Sequence, residues 1–204
     1  GGSGRMTSDS RKSFVGDFEE YDEDLDTLMN WVVAPMLAAG EKPVALAHSM
    51  GGHILLRRLA RRPTSFGCCV LCAPMIAISF RGQPEFLVRQ VTRYHMWRGK
   101  QAGWVWGMEG RDPHKITFAT QLVTSDPQRF ERTQAFLREQ PDLRLAGATW
   151  GWLAAALRSM DWLKPQAAQI TTPLLIAGAS KDRICISAEA KAFAARAPQA
   201  DRKS

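Results

Sequence analysis

The 204-residue sequence contains no apolar run approaching the roughly 18 residues that a membrane span needs. It has no internal repeat and no low-complexity segment. Only four cysteines occur, and no histidine or second cysteine pair lies near them at metal-ligand spacing, which argues against a metal site or a disulfide framework. We therefore expect one globular domain with free thiols in a reducing, cytoplasmic setting. The first residue is Gly1, so the sequence does not address a preceding signal peptide.

Positive charge is in excess, with 27 lysines and arginines against 20 acidic residues. The clearest cluster consists of Arg57, Arg58, Arg61 and Arg62. No aromatic residues interleave with these arginines, so we interpret them as the solvated back of a helix. We expect no nucleic-acid partner, and we leave a transient contact with a membrane surface open.

Short apolar runs alternate with helical patterns along the chain. The predicted strands are 43–47, 67–72 and 172–177, and the predicted helices are 18–32, 54–62 and 187–197. Strands separated by helices predict a parallel sheet with crossover connections, an α/β fold.

The central part of the chain differs from both ends. From residue 75 to residue 165 the pattern is irregular and helical, and six of the seven tryptophans fall there. We interpret 75–165 as an inserted helical cap, with 1–74 and 166–204 forming the core. The tryptophans are candidates for an apolar wall or simply for core packing.

A sharp turn is predicted where the strand 43–47 ends. The segment Ala47-His48-Ser49-Met50-Gly51 matches the nucleophile elbow G-x-S-x-G, with alanine in place of the first glycine. Small residues two before and two after the serine allow the backbone to reverse from strand to helix. We predict that Ser49 is a nucleophile and that the Met50 N–H stabilises an oxyanion.

The second catalytic candidate follows the strand 172–177. Asp182 lies just past the end of this strand, where sheet enzymes of this kind place the acid that orients a catalytic histidine. The alternative is a loop aspartate that closes a turn.

No histidine follows Asp182, although the usual chain order places it there. Four histidines precede it. We interpret His48 and His53 as structural, and we regard His95 and His114 as weak candidates for the base because their position would break the usual order.

Three segments carry a resemblance to a known family. Residues 17–25, the elbow with its following Gly52 and His53, and residues 173–182 are similar to the lysophospholipase and monoacylglycerol lipase group of α/β-hydrolases. The segment Gly1-Gly2-Ser3-Gly4-Arg5 also resembles a loop of that group. The resemblance implies a partial α/β-hydrolase fold, a parallel sheet core with an inserted cap. It also implies that the first strands, the second oxyanion donor, the last strand and the triad histidine lie outside this chain, which we therefore expect to be an inactive fragment.

The resemblance implies a serine esterase acting on a small-molecule lipid ester with a single acyl chain, without metal or cofactor. Met75, Trp150 and Trp152 are candidate substrate-binding residues. The alternatives are an aminopeptidase, an esterase for small esters, and a non-catalytic binding protein on the same scaffold.

Overall fold

The computed structural model describes Asp9, residues 11–109, Asp112 and residues 115–203. His114 and the segment Gly1–Arg5 lie outside the described residues. The strands are β1 (Lys12–Ser13), β2 (Val44–His48), β3 (Cys68–Cys72), β4 (Gly147–Ala148), β5 (Leu174–Ala177) and β6 (Ala200–Lys203). The helices are α1 (Glu19–Leu28), α2 (Met50–Arg61), α3 (Glu85–Trp97), α4 (Pro127–Glu139), α5 (Trp150–Leu163) and α6 (Ser187–Ala194). No helix in this part of the chain is long and apolar enough to cross a membrane.

The chain divides into two compact units. The sheet unit comprises Phe18–Gly82 and Leu157–Ser204, and the helical unit comprises Gly1–Asp17 and Gln83–Ala156. The sheet unit has one interruption along the chain, residues 83–156, and the predicted limits of the inserted segment, 75 and 165, stay a prediction. That the helical unit acts as a cap stays a prediction.

The sheet unit contains a four-stranded parallel sheet in the order β2-β3-β5-β6. The three predicted strands are confirmed, and the parallel α/β class is confirmed with them. The fourth strand, β6, was not predicted because its residues Ala-Asp-Arg-Lys are mostly polar. Pairing with β5, and not an apolar pattern, makes this segment a strand.

The core of the sheet unit lies between the sheet and the apolar faces of α2 and α6. Leu55, Leu56 and Leu59 of α2 are buried there with Phe193 of α6. Strand β2 is at the edge of the described sheet, and its Val44 and Leu46 are 68% and 76% exposed.

The arginine cluster is not the solvated surface that its sequence suggested. Arg57 and Arg58 are buried, and the acidic face of α1 lies opposite them. Arg57 and Arg61 pair with Asp22, and Arg58 and Arg62 pair with Asp26. The cluster is therefore an interface between α1 and α2, which the pattern of α2 alone could not predict.

The helical unit contains the two-stranded pair β1-β4 and an aromatic cluster. The ring of His95 in α3 stacks on Trp150 at a centroid distance of 4.1 Å, and Trp106 meets Trp150 edge to face at 5.5 Å. Trp150 is buried, so it packs inside this unit, in agreement with the core interpretation of that tryptophan.

Candidate active site

Ser49 lies at the sharp turn between the last residue of β2 and the first residue of α2. Its backbone angles, φ 51° and ψ −119°, are outside the regions that a non-glycine residue ordinarily adopts. Such a conformation persists only where the surrounding structure enforces it. Here the Ser49 N–H donates to the Cys72 carbonyl at 3.0 Å, and the Ser49 carbonyl accepts from the N–H groups of Met75 and His53 at 3.0 and 3.2 Å.

The turn has a closely packed glycine, but at a different position from the one predicted. A Cβ atom at Gly51 would meet nothing within 4 Å. A Cβ atom at Gly52 would lie 3.0 Å from the Cβ and 3.2 Å from the Cα of Pro74. The expectation that Gly51 is needed for close approach is therefore wrong: α2 contacts the segment after β3 through Gly52.

The N-terminus of α2 lies directly after Ser49 and is the predicted source of oxyanion donors. The N–H groups in the first turn of a helix have no carbonyl partner within the helix, and the Ser49 side chain makes no capping hydrogen bond to them. Met50 is the first residue of α2, so its N–H follows Ser49 directly, which is the position that the predicted oxyanion donor requires. The helix dipole adds to the favourable potential for negative charge there.

Asp182 lies in the loop that follows β5, at the same end of the parallel sheet as Ser49. Its Oδ1 accepts hydrogen bonds from the N–H groups of Ile184 at 2.8 Å and Cys185 at 2.9 Å. Its Oδ2 accepts no hydrogen bond from the described residues. Asp182 thus closes its own turn with one oxygen and keeps the other for another partner. Its two predicted roles, closing a turn and orienting a catalytic histidine, are therefore compatible.

Cys185 connects the serine and the aspartate. Its Sγ lies 3.8 Å from the Ser49 Oγ, while its N–H donates to Asp182. Residues 184–186 are hydrogen-bonded to residues 77–79, which follow β3, and this pairing places Cys185 beside the elbow. Burial raises the pKa of the Cys185 thiol, so it faces Ser49 as a neutral group. No role was predicted for Cys185, and only its position three residues after Asp182 could have drawn attention to it.

No described histidine is hydrogen-bonded through its ring to Ser49 or Asp182. His53 is fully buried, with Nδ1 2.8 Å from the Met75 carbonyl and Nε2 2.6 Å from the Ser159 Oγ. Burial lowers the pKa of His53 from 6.5 to about 3, which keeps the ring neutral. The structural interpretation of His53 is therefore confirmed. His48 is an exposed residue at the end of β2.

The three candidate substrate-binding residues are divided between the units. Met75 is buried in the sheet unit, and its N–H donates to the Ser49 carbonyl. Trp150 and Trp152 belong to the helical unit, where the Trp152 N–H donates to the Thr149 hydroxyl. Their contact with a substrate stays a prediction.

Comparison with known proteins identifies the family and the fold of the chain. Residues 2–204 match the family described as "Serine aminopeptidase, S33". The chain is 30% identical over 185 residues to lysophospholipase L2 of Escherichia coli strain K12, and the match covers 90% of this chain and 53% of that protein. The chain spans about half the length of the curated relatives it matches.

Two solved structures show the same fold. The monoacylglycerol lipase of Paleococcus ferrophilus has a TM-score of 0.65 at 20% identity, covering 91% of this chain and 64% of that one. A soluble variant of the monoglyceride lipase of Saccharomyces cerevisiae has a TM-score of 0.62 at 16% identity, covering 97% and 63%. The predicted resemblance and the α/β-hydrolase fold are thereby confirmed. The chain belongs to the serine aminopeptidase S33 family of α/β-hydrolases.

Proposed function

We propose that this protein is a serine esterase that hydrolyses carboxylic esters of single-acyl lipids, a lysophospholipid or a monoacylglycerol, through an acyl-enzyme on Ser49. The observation that carries the proposal is the conformation of Ser49, φ 51° and ψ −119°, between a strand and the free N–H groups of a helix. In a nucleophile elbow this conformation exposes the hydroxyl beyond the carboxyl ends of the strands, so that an ester carbonyl would reach both the Oγ and the Met50 N–H.

The reaction has two halves. The Ser49 Oγ attacks the ester carbonyl as the base takes its proton, and the resulting oxyanion is stabilised by the Met50 N–H. The tetrahedral intermediate then breaks its bond to the alcohol, which leaves with the proton from the base. Water, activated by the same base, attacks the acyl-enzyme and releases the fatty acid and Ser49. Asp182 orients the base through its Oδ2.

We place that base in a histidine outside residues 1–204. Both ring nitrogens of His53 have partners inside the sheet unit, and no described histidine is hydrogen-bonded to Asp182. Purified residues 1–204 should therefore show no ester hydrolysis that depends on Ser49, while the protein with its flanking sequence should show it. Turnover by residues 1–204 that disappears in Ser49→Ala would instead assign the base to a histidine within them.

The lipid preference rests on the relatives. Lysophospholipase L2 is 30% identical to this chain, and the structural neighbours include two monoacylglycerol lipases. Substrates of this kind reach an enzyme from micelles or membranes, so a transient contact with a membrane surface belongs to the proposal. The family description favours an aminopeptidase as the second candidate.

A panel of substrates distinguishes the proposed lipid esterase from the aminopeptidase, small-ester and non-catalytic alternatives. The protein with its flanking sequence is assayed on lysophosphatidylcholine, a long-chain monoacylglycerol, a butyryl ester and an aminoacyl nitroanilide, with Ser49→Ala as the control. We expect the highest kcat/KM on a long-chain lipid. A preference for the butyryl ester or for the nitroanilide would support the small-ester or the aminopeptidase alternative. The absence of turnover on all four, together with no fluorophosphonate labelling of Ser49, would support a non-catalytic binding protein.

A further inference from the structure

A chain of buried hydrogen bonds begins at α1 and ends near the elbow. The Arg57 guanidinium, with a side chain only 3% exposed, donates to the Asp22 carboxylate through Nε at 3.1 Å and Nη2 at 2.7 Å. Its remaining Nη1 donates to the Ser159 Oγ at 2.9 Å. Asp22 neutralises the charge of Arg57, so the arginine can act as a buried, fixed donor.

The hydrogen bond between Ser159 and His53 has only one consistent direction. The Met75 carbonyl can only accept, so the His53 Nδ1 carries the proton of the neutral ring. The His53 Nε2 then accepts from the Ser159 hydroxyl, whose oxygen still accepts from Arg57. Each member of the chain thus orients the next, from Arg57 through Ser159 to His53.

The chain closes into a ring of hydrogen bonds at the nucleophile. Met75 accepts from the His53 ring with its carbonyl and donates to the Ser49 carbonyl with its N–H. The backbone N–H of His53 donates to the same Ser49 carbonyl. One bond to this carbonyl comes from the His53 backbone, and the other comes from Met75, whose own carbonyl is bonded to the His53 ring. Such converging bonds are what a strained backbone conformation needs in order to persist.

We propose that His53 is a positioning residue for the nucleophile: through Met75 its ring fixes the Ser49 carbonyl, and Arg57 and Ser159 fix the ring. This inference rests on the proposed esterase function of Ser49. A ring that is free to tilt would let the Met75 peptide and the turn shift together, moving the Oγ and the Met50 N–H away from the reacting carbonyl. A displacement of about 1 Å in such a site lowers the rate by about 10²-fold.

Two substitutions of His53 in the protein with its flanking sequence separate the hydrogen bond from the packing. His53→Leu fills much of the space of the ring but has no donor for the Met75 carbonyl. His53→Asn retains an N–H donor near the position of Nδ1. Arg62→Gln, which changes an exposed ion pair near the end of the same helix, is the matched control.

The readout is kcat per active site, obtained by titrating Ser49 with a fluorophosphonate, together with KM and the fraction of protein that is labelled. We expect His53→Leu to lower kcat per labelled site by about 10²-fold with little change in KM. We expect His53→Asn to restore most of that loss and Arg62→Gln to match the unchanged protein. If His53→Leu does not fold, Ser159→Ala provides the test, with an expected loss of about tenfold, the equivalent of one ordinary hydrogen bond.

The outcomes distinguish this inference from the function on which it rests. A merely structural role would reduce the labelled fraction in His53→Leu while kcat per labelled site stayed unchanged, and that result would overturn the inference alone. Equal losses in His53→Leu and His53→Asn would also overturn it. An unchanged protein that is not labelled at Ser49 would overturn both the inference and the proposed function.

Discussion

The nucleophile turn, residues 48–53, and the acid loop, residues 178–185, are stabilised in different ways. The nucleophile turn depends on partners that are distant in sequence: Cys72, Met75 and, through the His53 ring, Ser159. The acid loop is closed around Asp182 by local bonds, from N–H groups two and three residues further along, and only its end at residues 184 and 185 pairs with a distant segment, residues 78 and 79. Substitutions in the nucleophile turn should therefore affect stability and activity together, whereas substitutions in the acid loop should affect activity with little change in stability.

The largest expected effect is that of removing the nucleophile. Ser49→Ala in the protein with its flanking sequence should lower kcat by about 10⁶-fold and abolish fluorophosphonate labelling, because no other group supplies the attacking oxygen. Ser65→Ala, in an exposed turn after α2, should retain both signals. Labelling that survives Ser49→Ala would mean that the nucleophile is a different residue.

Two changes at Asp182 separate its charge from its role in the loop. Asp182→Asn keeps an oxygen that can accept from Ile184 and Cys185 but loses the negative charge, so kcat should fall by about 10⁴-fold at nearly constant stability. Asp182→Ala should be equally inactive and, in addition, less stable by about 1 kcal/mol because two N–H groups lose their acceptor. Kinetics and urea unfolding measure the two effects. An active Asp182→Asn would mean that Asp182 closes the turn and has no catalytic role.

Substitutions of Gly52 and of its neighbour Gly51 test the packing of the nucleophile turn. In Gly52→Ala the new Cβ would press on the backbone of Pro74, and we expect a loss of about 1–3 kcal/mol in the free energy of unfolding, with a parallel fall in activity. Gly51→Ala meets open space, so its free energy of unfolding should not decrease. Urea unfolding of both variants gives the comparison. A greater loss in Gly51→Ala than in Gly52→Ala would contradict the observed contact.

The smallest effect concerns acid stability. The charged groups that face His53 are Arg57 and, behind it, Asp22. Because the pKa of His53 is about 3 in the folded protein and 6.5 in the reference state, the unfolded state binds the extra proton between these values. The neutral His53 ring contributes fully to the free energy of unfolding above pH 6.5. This contribution, on the order of a few kcal/mol, is lost as the pH falls toward 3.

Unfolding by urea at several pH values between 7.5 and 4 measures this effect. The unchanged protein should lose more stability over that range than His53→Asn, which has no group that titrates there. Parallel curves for the two proteins would show that the titration of His53 does not contribute.

Local sequence patterns were sufficient to predict the scaffold of the site. The apolar run ending at Ser49 and the helical period after it predicted β2, the turn and α2, because both patterns act within a few residues. Asp182 was placed past the end of β5 for the same reason. The chain order of serine and aspartate then followed from the positions of the strands.

Tertiary structure decided everything that depends on segments distant in sequence. Pro74 makes Gly52, and not Gly51, the glycine at which a side chain would be crowded. The acidic face of α1 buries Arg57 and Arg58 of the arginine cluster, and pairing with β5 makes a strand of the polar segment 200–203. The contact between Cys185 and Ser49 joins residues 136 positions apart. A local pattern carries no information on such pairs, because the partner of a buried polar group or a glycine is chosen by the packing of the whole core.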